Sequence, residues 1–370
     1  MPVSLASAGR ALRAAGFANP SPVSFFEFWP GWLFYTPIVI QWLALGLRYG
    51  DFSLPTAANP HITTGGLCGE SKLSILQQVR GEARALLARS TGIMTHAWDA
   101  HADMDAANAA MTLAGLAWPI VAKPDIGCNG TGVRLIRQEA DLLRYLQQFP
   151  RKVALVLQEF IPSPGEAGLF YIRHPNQAQG QITSITLKQP PTVIGDGRST
   201  LRELILADAR AGRVSHLYLD RLSHRLNEVP PQGEAVQLVF VGNHCKGSIF
   251  IDGCEHATPA LTAAVERLAR ALPDFHFGRI DVRFSTLSEL RRGTGFRVIE
   301  INGVGSEATH VWDPRTRLLD AWRAQFYHYG QAFRIGAANR ARGFAPSGVP
   351  AMARDWKTQR RLMGAYPMND

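Results

Sequence analysis

The stretch Gly278-Arg279-Ile280-Asp281-Val282-Arg283-Phe284, followed after a turn-rich interval by Val298-Ile299-Glu300-Ile301-Asn302, constrains this chain more than any other feature. Polar and apolar residues alternate through both, which is the period of a β-strand whose successive side chains leave on opposite faces. Read as neighbouring strands, one face carries Ile280, Val282, Phe284, Ile299 and Ile301, and the other Arg279, Asp281, Arg283, Glu300 and Asn302. A fold containing this pair must bury the first face and keep the second in a polar cleft or in water. Two carboxylates and an amide oxygen are hard ligands of the kind Mg²⁺ accepts when phosphate oxygens complete its octahedron. For either strand alone, a solvated face of ion pairs with the neighbouring arginines is the plainer reading.

Segments upstream point the same way. Trp118 to Pro124 reads as a buried strand ending at Lys123, and Asp125 to Gly132 then supplies Gly127, Gly130 and Gly132 before a second strand, Val133 to Ile136. Such a loop can fold over a polyphosphate because its peptide N–H groups approach without Cβ interference. It lacks the GKS/T ending of a Walker loop, and a purely structural turn is the alternative. Before it, Glu70-Ser71-Lys72 opens a helical pattern through Leu73, Leu76, Val79, Ala83, Leu86 and Leu87, with Ser71 or Glu70 as cap. After it, Val153 to Ile161 is a near-continuous apolar strand carrying Gln158, Glu159 and Phe160, with Glu166 beyond two prolines, and Lys188 ends the strand Ile182 to Leu187.

In this order the motifs resemble the ATP-grasp superfamily, especially the D-alanine:D-alanine ligases. In the central region Gly195-Asp196-Gly197-Arg198-Ser199-Thr200 and Val229 to Glu234 also look like cyanophycin synthetase. The resemblance implies an α+β fold of two subdomains gripping ATP, with Mg²⁺, or alternatively Mn²⁺, held by Asp281, Glu300 and Asn302. It places Lys123 on the α- and β-phosphates, Lys72 and Lys188 near the phosphates, and Gly130 and Gly132 in the covering loop. Gln158 stands where a side chain meets the adenine amino group, Glu159, Phe160 and Ile161 offer backbone hydrogen bonds, and Glu166 lies near the ribose. Arg279 and the peptide N–H near Gly305 would stabilise an oxyanion, and Arg283 would hold a substrate carboxylate or else pair with Asp281 or Glu300.

Ser306, Glu307 and His310 could line an amine pocket or simply cap a loop, while Asn243, Lys246 and Gly247 could close over ATP. The implied activity is ATP-dependent carboxylate–amine ligation through an acyl phosphate, with a kinase or phosphoryl transferase as the alternative. The sequence departs from the family in having Gln158 where Glu is common, and in placing Glu166 one residue later. Met1 to Pro60 lacks the βαβ pattern with which the D-alanine ligases open, which points to a larger, lipid- or polysaccharide-linked acceptor.

The resemblance covers roughly Glu70 to His310, so the chain divides into a hydrophobic segment 1–69, an ATP-grasp domain 70–310 and a basic helical extension 311–370. From His310 onward ten Arg and Lys face four Asp, six of the nine net positive charges. That surplus suits an anionic surface or a solvated helix face. Nucleic acid is disfavoured, because the arginines lack interleaved stacking residues. Four scattered cysteines without metal spacing read as reduced thiols of a cytoplasmic protein, and no signal peptide is evident. Phe28 to Leu47 is twenty residues without a charge, broken by Pro30 and Pro37. It reads as buried core or substrate lining, as a helix docked peripherally on the inner face of a membrane, or as a true span. Substrates are small or conjugated carboxylates and amines, and the sequence is silent on oligomeric state.

Overall fold

A computed structural model describes residues 23–96, 99–240, 242 and 247–367. In chain order the helices and strands are α1 (Gly31–Tyr49), α2 (Lys72–Gln78), β1 (Ser90–Met94), α3 (Ala100–Leu113), β2 (Ile120–Pro124), β3 (Arg134–Ile136), α4 (Glu139–Gln148) and β4 (Ala154–Glu159). There follow β5 (Gly165–Ile172), β6 (Gln181–Gln189), β7 (Thr192–Ile194), α5 (Leu201–Ala207), α6 (His216–Leu219), β8 (Ala235–Gln237) and β9 (Ile249–Asp252). The chain ends with α7 (Pro259–Arg270), β10 (Phe277–Phe284), α8 (Leu287–Arg291), β11 (Phe296–Asn302), α9 (Leu318–Ala341) and α10 (Val349–Met363).

The fold is α+β, as the sequence implied. One sheet has four antiparallel strands in the order β1-β4-β2-β3, a second has five in the order β11-β10-β5-β6-β9, and β7 pairs with β8 in a small hairpin. The alternation in the last third of the chain becomes the β10/β11 ladder, with Asp281 opposite Glu300 and Arg279 opposite Asn302, but a register shift after Asp281 brings Val298 opposite Val282 in the core and leaves Ile299, expected on the buried face, lining the cleft. Ile280, Val282 and Phe284 face a core shared with Leu261, Val265 and Leu268 of α7. Burying that apolar row fixes the register, since a slip of one residue would turn every charge inward.

Two helices differ from expectation. The pattern through Leu87 does not continue as one helix: α2 stops at Gln78, and Gly81 adopts a left-handed φ of 62° that no helix accommodates. Pro37 does not break α1, which runs unbroken for nineteen residues. Packing supplies the reason. Phe34 and Ile38 join Phe26, Phe250, Val311 and Trp312 in one cluster, and Trp42 meets Tyr329 and Phe333 of α9 at centroid distances of 5.6 and 5.1 Å. These contacts outweigh the one hydrogen bond that proline forgoes. No helix among the described residues is long and apolar enough to cross a membrane, which sets aside the spanning reading.

Asn59 ties the amino-terminal segment to the second sheet. Its Nδ2 donates to the carbonyls of Gly65 and Phe277 at 3.0 and 2.8 Å, and its Oδ1 accepts from the peptide N–H groups of His276 and Phe277 at 3.0 and 3.1 Å. Asn59→Ala removes the amide partner of the His276 and Phe277 N–H groups and the Phe277 carbonyl, while Gly65 keeps the Val304 N–H, and chemical denaturation is expected to show a loss of about 3 kcal/mol. A midpoint unchanged from the parent would show that water replaces the amide without penalty.

Candidate functional site

The two sheets wall a cleft of about 540 Å³. From the four-stranded sheet come Val121 and Lys123 of β2 and Gln158 and Glu159 of β4, with Phe160 and Ile161 just beyond. From the five-stranded sheet come Glu166, Lys188, Arg279, Asp281, Arg283, Ile299, Glu300 and Asn302. Lys72, Gly130 and Gly305 also line it. Of the residues singled out in the sequence, Gly132, Gly247 and His310 lie outside this lining, Gly132 in the same loop as Gly130.

Register explains the charge arrangement. Arg283, Glu166 and Lys188 stand abreast on β10, β5 and β6. Lys188 Nζ lies 3.2 Å from Glu166 and 3.1 Å from Asp281. Arg279 Nε donates to Asp281 Oδ1 at 2.9 Å, its NH2 group reaches Oδ2 at 3.2 Å, and its NH1 group donates to the Glu307 carbonyl at 3.3 Å. Gly168 faces Asp281 across the ladder, and a Cβ there would come within 3.0 Å of Asp281 Oδ1 and 2.8 Å of Arg279 Cδ. Burial pushes the Asp281 carboxyl up, yet Arg279 and Lys188 outweigh it and hold the group at about 2. For Lys188 burial works against the charge, but Asp281 and Glu166 prevail and keep it above its ordinary range.

Lys123 behaves oppositely. Burial lowers it to about 8 despite the pull of Glu300. Its ammonium donates to Gln158 Oε1 at 3.0 Å and to the Ile299 carbonyl at 2.9 Å. The Gln158 amide spends its donors on Ser90 Oγ and the Ile299 carbonyl, at 2.9 and 3.1 Å. Gln158 therefore props the lysine with its whole side chain. The Glu159 carboxylate turns to Arg89 at 3.1 Å, and its peptide N–H goes to the Arg89 carbonyl at 2.8 Å.

Lys72, one residue after the Ser71 cap of α2, reaches the Gly127 carbonyl and stands 3.7 Å from Glu300. The glycine-rich loop turns on left-handed residues, with φ of 55°, 64° and 75° at Asn129, Gly130 and Gly132. Two expectations need correction. The Gly305 peptide N–H donates to the Gly66 carbonyl at 2.7 Å, so it is committed within the protein and does not face an oxyanion. Arg283 pairs neither with Asp281 nor with Glu300: it meets the Ser163 carbonyl at 2.6 Å and Glu166 at 3.4 Å. His310 points to Ser184 Oγ at 2.7 Å rather than into the cleft, and burial lowers its pKa. Ser306 Oγ donates to the Gly303 carbonyl at 2.5 Å, and Asn243 and Lys246 lie outside the described residues.

Sequence reasoning read Glu70 only as a helix cap, a role that Ser71 fills, and passed over Gln359; both lie in the cleft wall. Glu70 Oε2 is buried without a hydrogen-bond partner among the described residues, and burial raises its pKa. Its position two residues before Lys72 was the only signal.

The donor set suits a small hard cation. Asp281 and Glu300 oppose one another on adjacent strands, and the Asn302 amide lies 3.3 Å from Asp281 Oδ2. No group of three or more His, Cys, Asp or Glu side chains forms a metal centre among the described residues. A cation here would therefore take further oxygens from a bound polyphosphate or water.

With this geometry in view, the chain is similar to ATP-grasp ligases. It is 22% identical over 212 residues to cyanophycin synthetase of Trichormus variabilis, covering 52% of this chain and 23% of that protein. It is 24% identical over 174 residues to the bifunctional glutathione-biosynthesis protein of Streptococcus agalactiae serotype V, covering 42% of this chain and 22% of that one. The chain thus spans about a quarter of the length of the curated relatives it matches. Among solved structures, D-alanine–D-alanine ligase of Bacillus anthracis matches with TM-score 0.42 and 12% identity over 76% of this chain and 71% of that one. A bifunctional glutathione synthetase of Pasteurella multocida matches with TM-score 0.36 and 15% identity over 69% of this chain and 36% of that one. No protein-family model matches the chain.

Proposed function

We propose that this protein is an ATP-dependent carboxylate–amine ligase. One observation carries the reading: in a single cleft, a polar β10/β11 face bearing Asp281, Glu300 and Asn302 meets Lys72, Lys123 and Lys188. Three cations suit a triphosphate, the carboxylates and amide suit its metal ions, and the apolar side chains of Val121, Phe160, Ile161 and Ile299 suit a flat base. Glu166 would meet the ribose. Glu159 has already spent its N–H, so base hydrogen bonds would come from its carbonyl and from Ile161.

When bound at Asp281, Glu300 and Asn302, a divalent cation would neutralise charge on the transferring phosphoryl group. Lys123 and Lys72 hold the phosphates, and Lys188 and Arg279 face the acid. A substrate carboxylate oxygen attacks the γ-phosphorus and ADP leaves. An amine nitrogen then attacks the acyl carbon, phosphate departs, and the nitrogen loses a proton. Arg279 supplies the donors for the oxyanion, a contact typically worth about 3 kcal/mol in such transition states. The test is ADP release across a panel of carboxylates and amines, with mass spectrometry of the product. Release that needs both partners and yields an amide supports the ligase. Release on the carboxylate alone with a stable phosphorylated product would favour the phosphoryl transferase.

The acceptor end of the cleft suggests where the substrate comes from. Tyr35 of α1 and Trp312 line it, and the outer side of the same helix exposes Trp32, Leu33, Val39, Ile40, Leu43 and Leu47. Arg48 closes this apolar arc, and the chain carries a net charge of +9. A helix greasy on its outer face, tipped with tryptophan and arginine, fits an anionic lipid surface that presents the acceptor. The parent chain is expected to float with phosphatidylglycerol vesicles, and the double substitution Ile40→Glu, Leu43→Glu to stay behind. Equal behaviour of the two would remove the membrane from the proposal.

A further inference from the structure

The carboxy-terminal helix α10 and the residues after it lie across the glycine-rich loop. Tyr366 is buried, stacked on Phe149 with ring centroids 5.5 Å apart, and its hydroxyl donates to the Ile126 carbonyl at 2.7 Å. Met363 Sδ sits 3.5 Å from Cys128 Sγ. A Cβ on Gly132 would stand 3.1 Å from Tyr366 Cβ. Tail and loop thus touch at Ile126, Cys128 and Gly132, along the whole turn.

The same helix grips a second loop. Gln359 Oε1 accepts the Gly69 peptide N–H at 2.6 Å, and Cys68 Sγ lies 3.6 Å from the Met352 carbonyl. That loop leads directly into Glu70 and Lys72, and its Gly66 carbonyl holds Gly305 at the end of the metal-facing strand. Gln359 itself reaches the cleft. One helix therefore connects the loop over the phosphate end, the segment presenting Lys72, and the turn after β11.

A loop with three left-handed residues among the four from Asn129 to Gly132 has many conformations to lose when it closes on a triphosphate. Tethers made before the ligand arrives reduce that loss. We propose that the carboxy-terminal segment is a strap that sets the glycine-rich loop for a nucleoside triphosphate, with Gln359, Met363 and Tyr366 as positioning residues. The inference rests on the nucleotide reading above.

Cys128 provides a readout independent of that reading, because its thiol lies under Met363 and is exposed enough to alkylate. The full chain and its Tyr366→Phe, Tyr366→Ala and Gln359→Ala variants are treated with iodoacetamide, and Cys128 modification is followed by peptide mass spectrometry beside MgATP titration calorimetry and thermal melting. Loss of one tether is expected to raise both the Cys128 rate and the MgATP dissociation constant about three- to tenfold in Tyr366→Phe and Gln359→Ala. Tyr366→Ala should exceed both, with the ring of Tyr366→Phe recovering part of its deficit. Folded variants with the parental Cys128 rate overturn the strap. A raised Cys128 rate with unchanged MgATP affinity overturns its role in nucleotide binding. Should the parent itself bind no MgATP, the nucleotide reading and the strap's role in it both fall, and the Cys128 rates still decide whether the tail holds the loop. If Tyr366→Ala does not fold, the other two variants carry the decision.

Discussion

Asp281→Asn is expected to lower ADP release by about a thousandfold or more, and Glu300→Gln to do the same, but only the first should also destabilise the protein. Both substitutions preserve shape and remove a charge that a divalent cation needs. Their surroundings differ. Asp281 is 2% exposed and meets Arg279 at 2.9 Å and Lys188 at 3.1 Å. Neutralising it leaves two buried cations short of their partner, a defect of about 3 kcal/mol. Glu300 is about a quarter exposed and its cation, Lys72, stands at 3.7 Å, so its removal should cost about 0.5 kcal/mol. Melting curves and ADP-release assays across a Mg²⁺ series separate the two effects. Near-parental turnover of either variant at low Mg²⁺ would show that the metal lies elsewhere.

The same residues show how far sequence alone could reach. The β10/β11 face was legible because strand periodicity is local: side chains two residues apart must share a face, so Arg279, Asp281 and Arg283 announce one surface before any tertiary contact is known. Lys123 and the glycine loop were legible because strand and turn chemistry sit next to each other in the chain. What escaped depends on distant partners. Gln158 can either face a ligand or brace Lys123, and only the placement of Ile299 and Ser90 decides. Gly305 offers a peptide N–H that Gly66, far back in the chain, happens to claim. Pro37 argues locally against a helix, yet the aromatic packing of α1 against α9 holds it in one. Residues 349–367 have a helical pattern and basic charge but nothing that announces a contact with Ile126.

Lys123 sets the second large effect, and it is a pH effect. Burial brings its ammonium to about 8, so that most of the charge is kept at pH 7 and lost across the next units. The anionic phosphates of MgATP favour the charged form, so affinity should be greatest below about 8 and decline as pH rises through it. Binding of the phosphates raises the lysine in the complex, and the decline therefore reports the free protein. Lys188 does not contribute to this limb, because Asp281 and Glu166 keep it charged above its ordinary range. Removing the charge altogether in Lys123→Met is expected to weaken MgATP binding at pH 7 by about 30- to 150-fold, the worth of one hydrogen-bonded ion pair with phosphate. Lys123→Arg should keep charge at every accessible pH and abolish the alkaline decline, though its larger head must displace the Gln158 amide and will cost affinity throughout. Calorimetric titration with MgATP from pH 6.5 to 9.5 measures all three proteins directly and avoids the ionisation of the amine substrate. An alkaline decline of equal slope in Lys123→Arg would assign it to another group and take Lys123 off the phosphates.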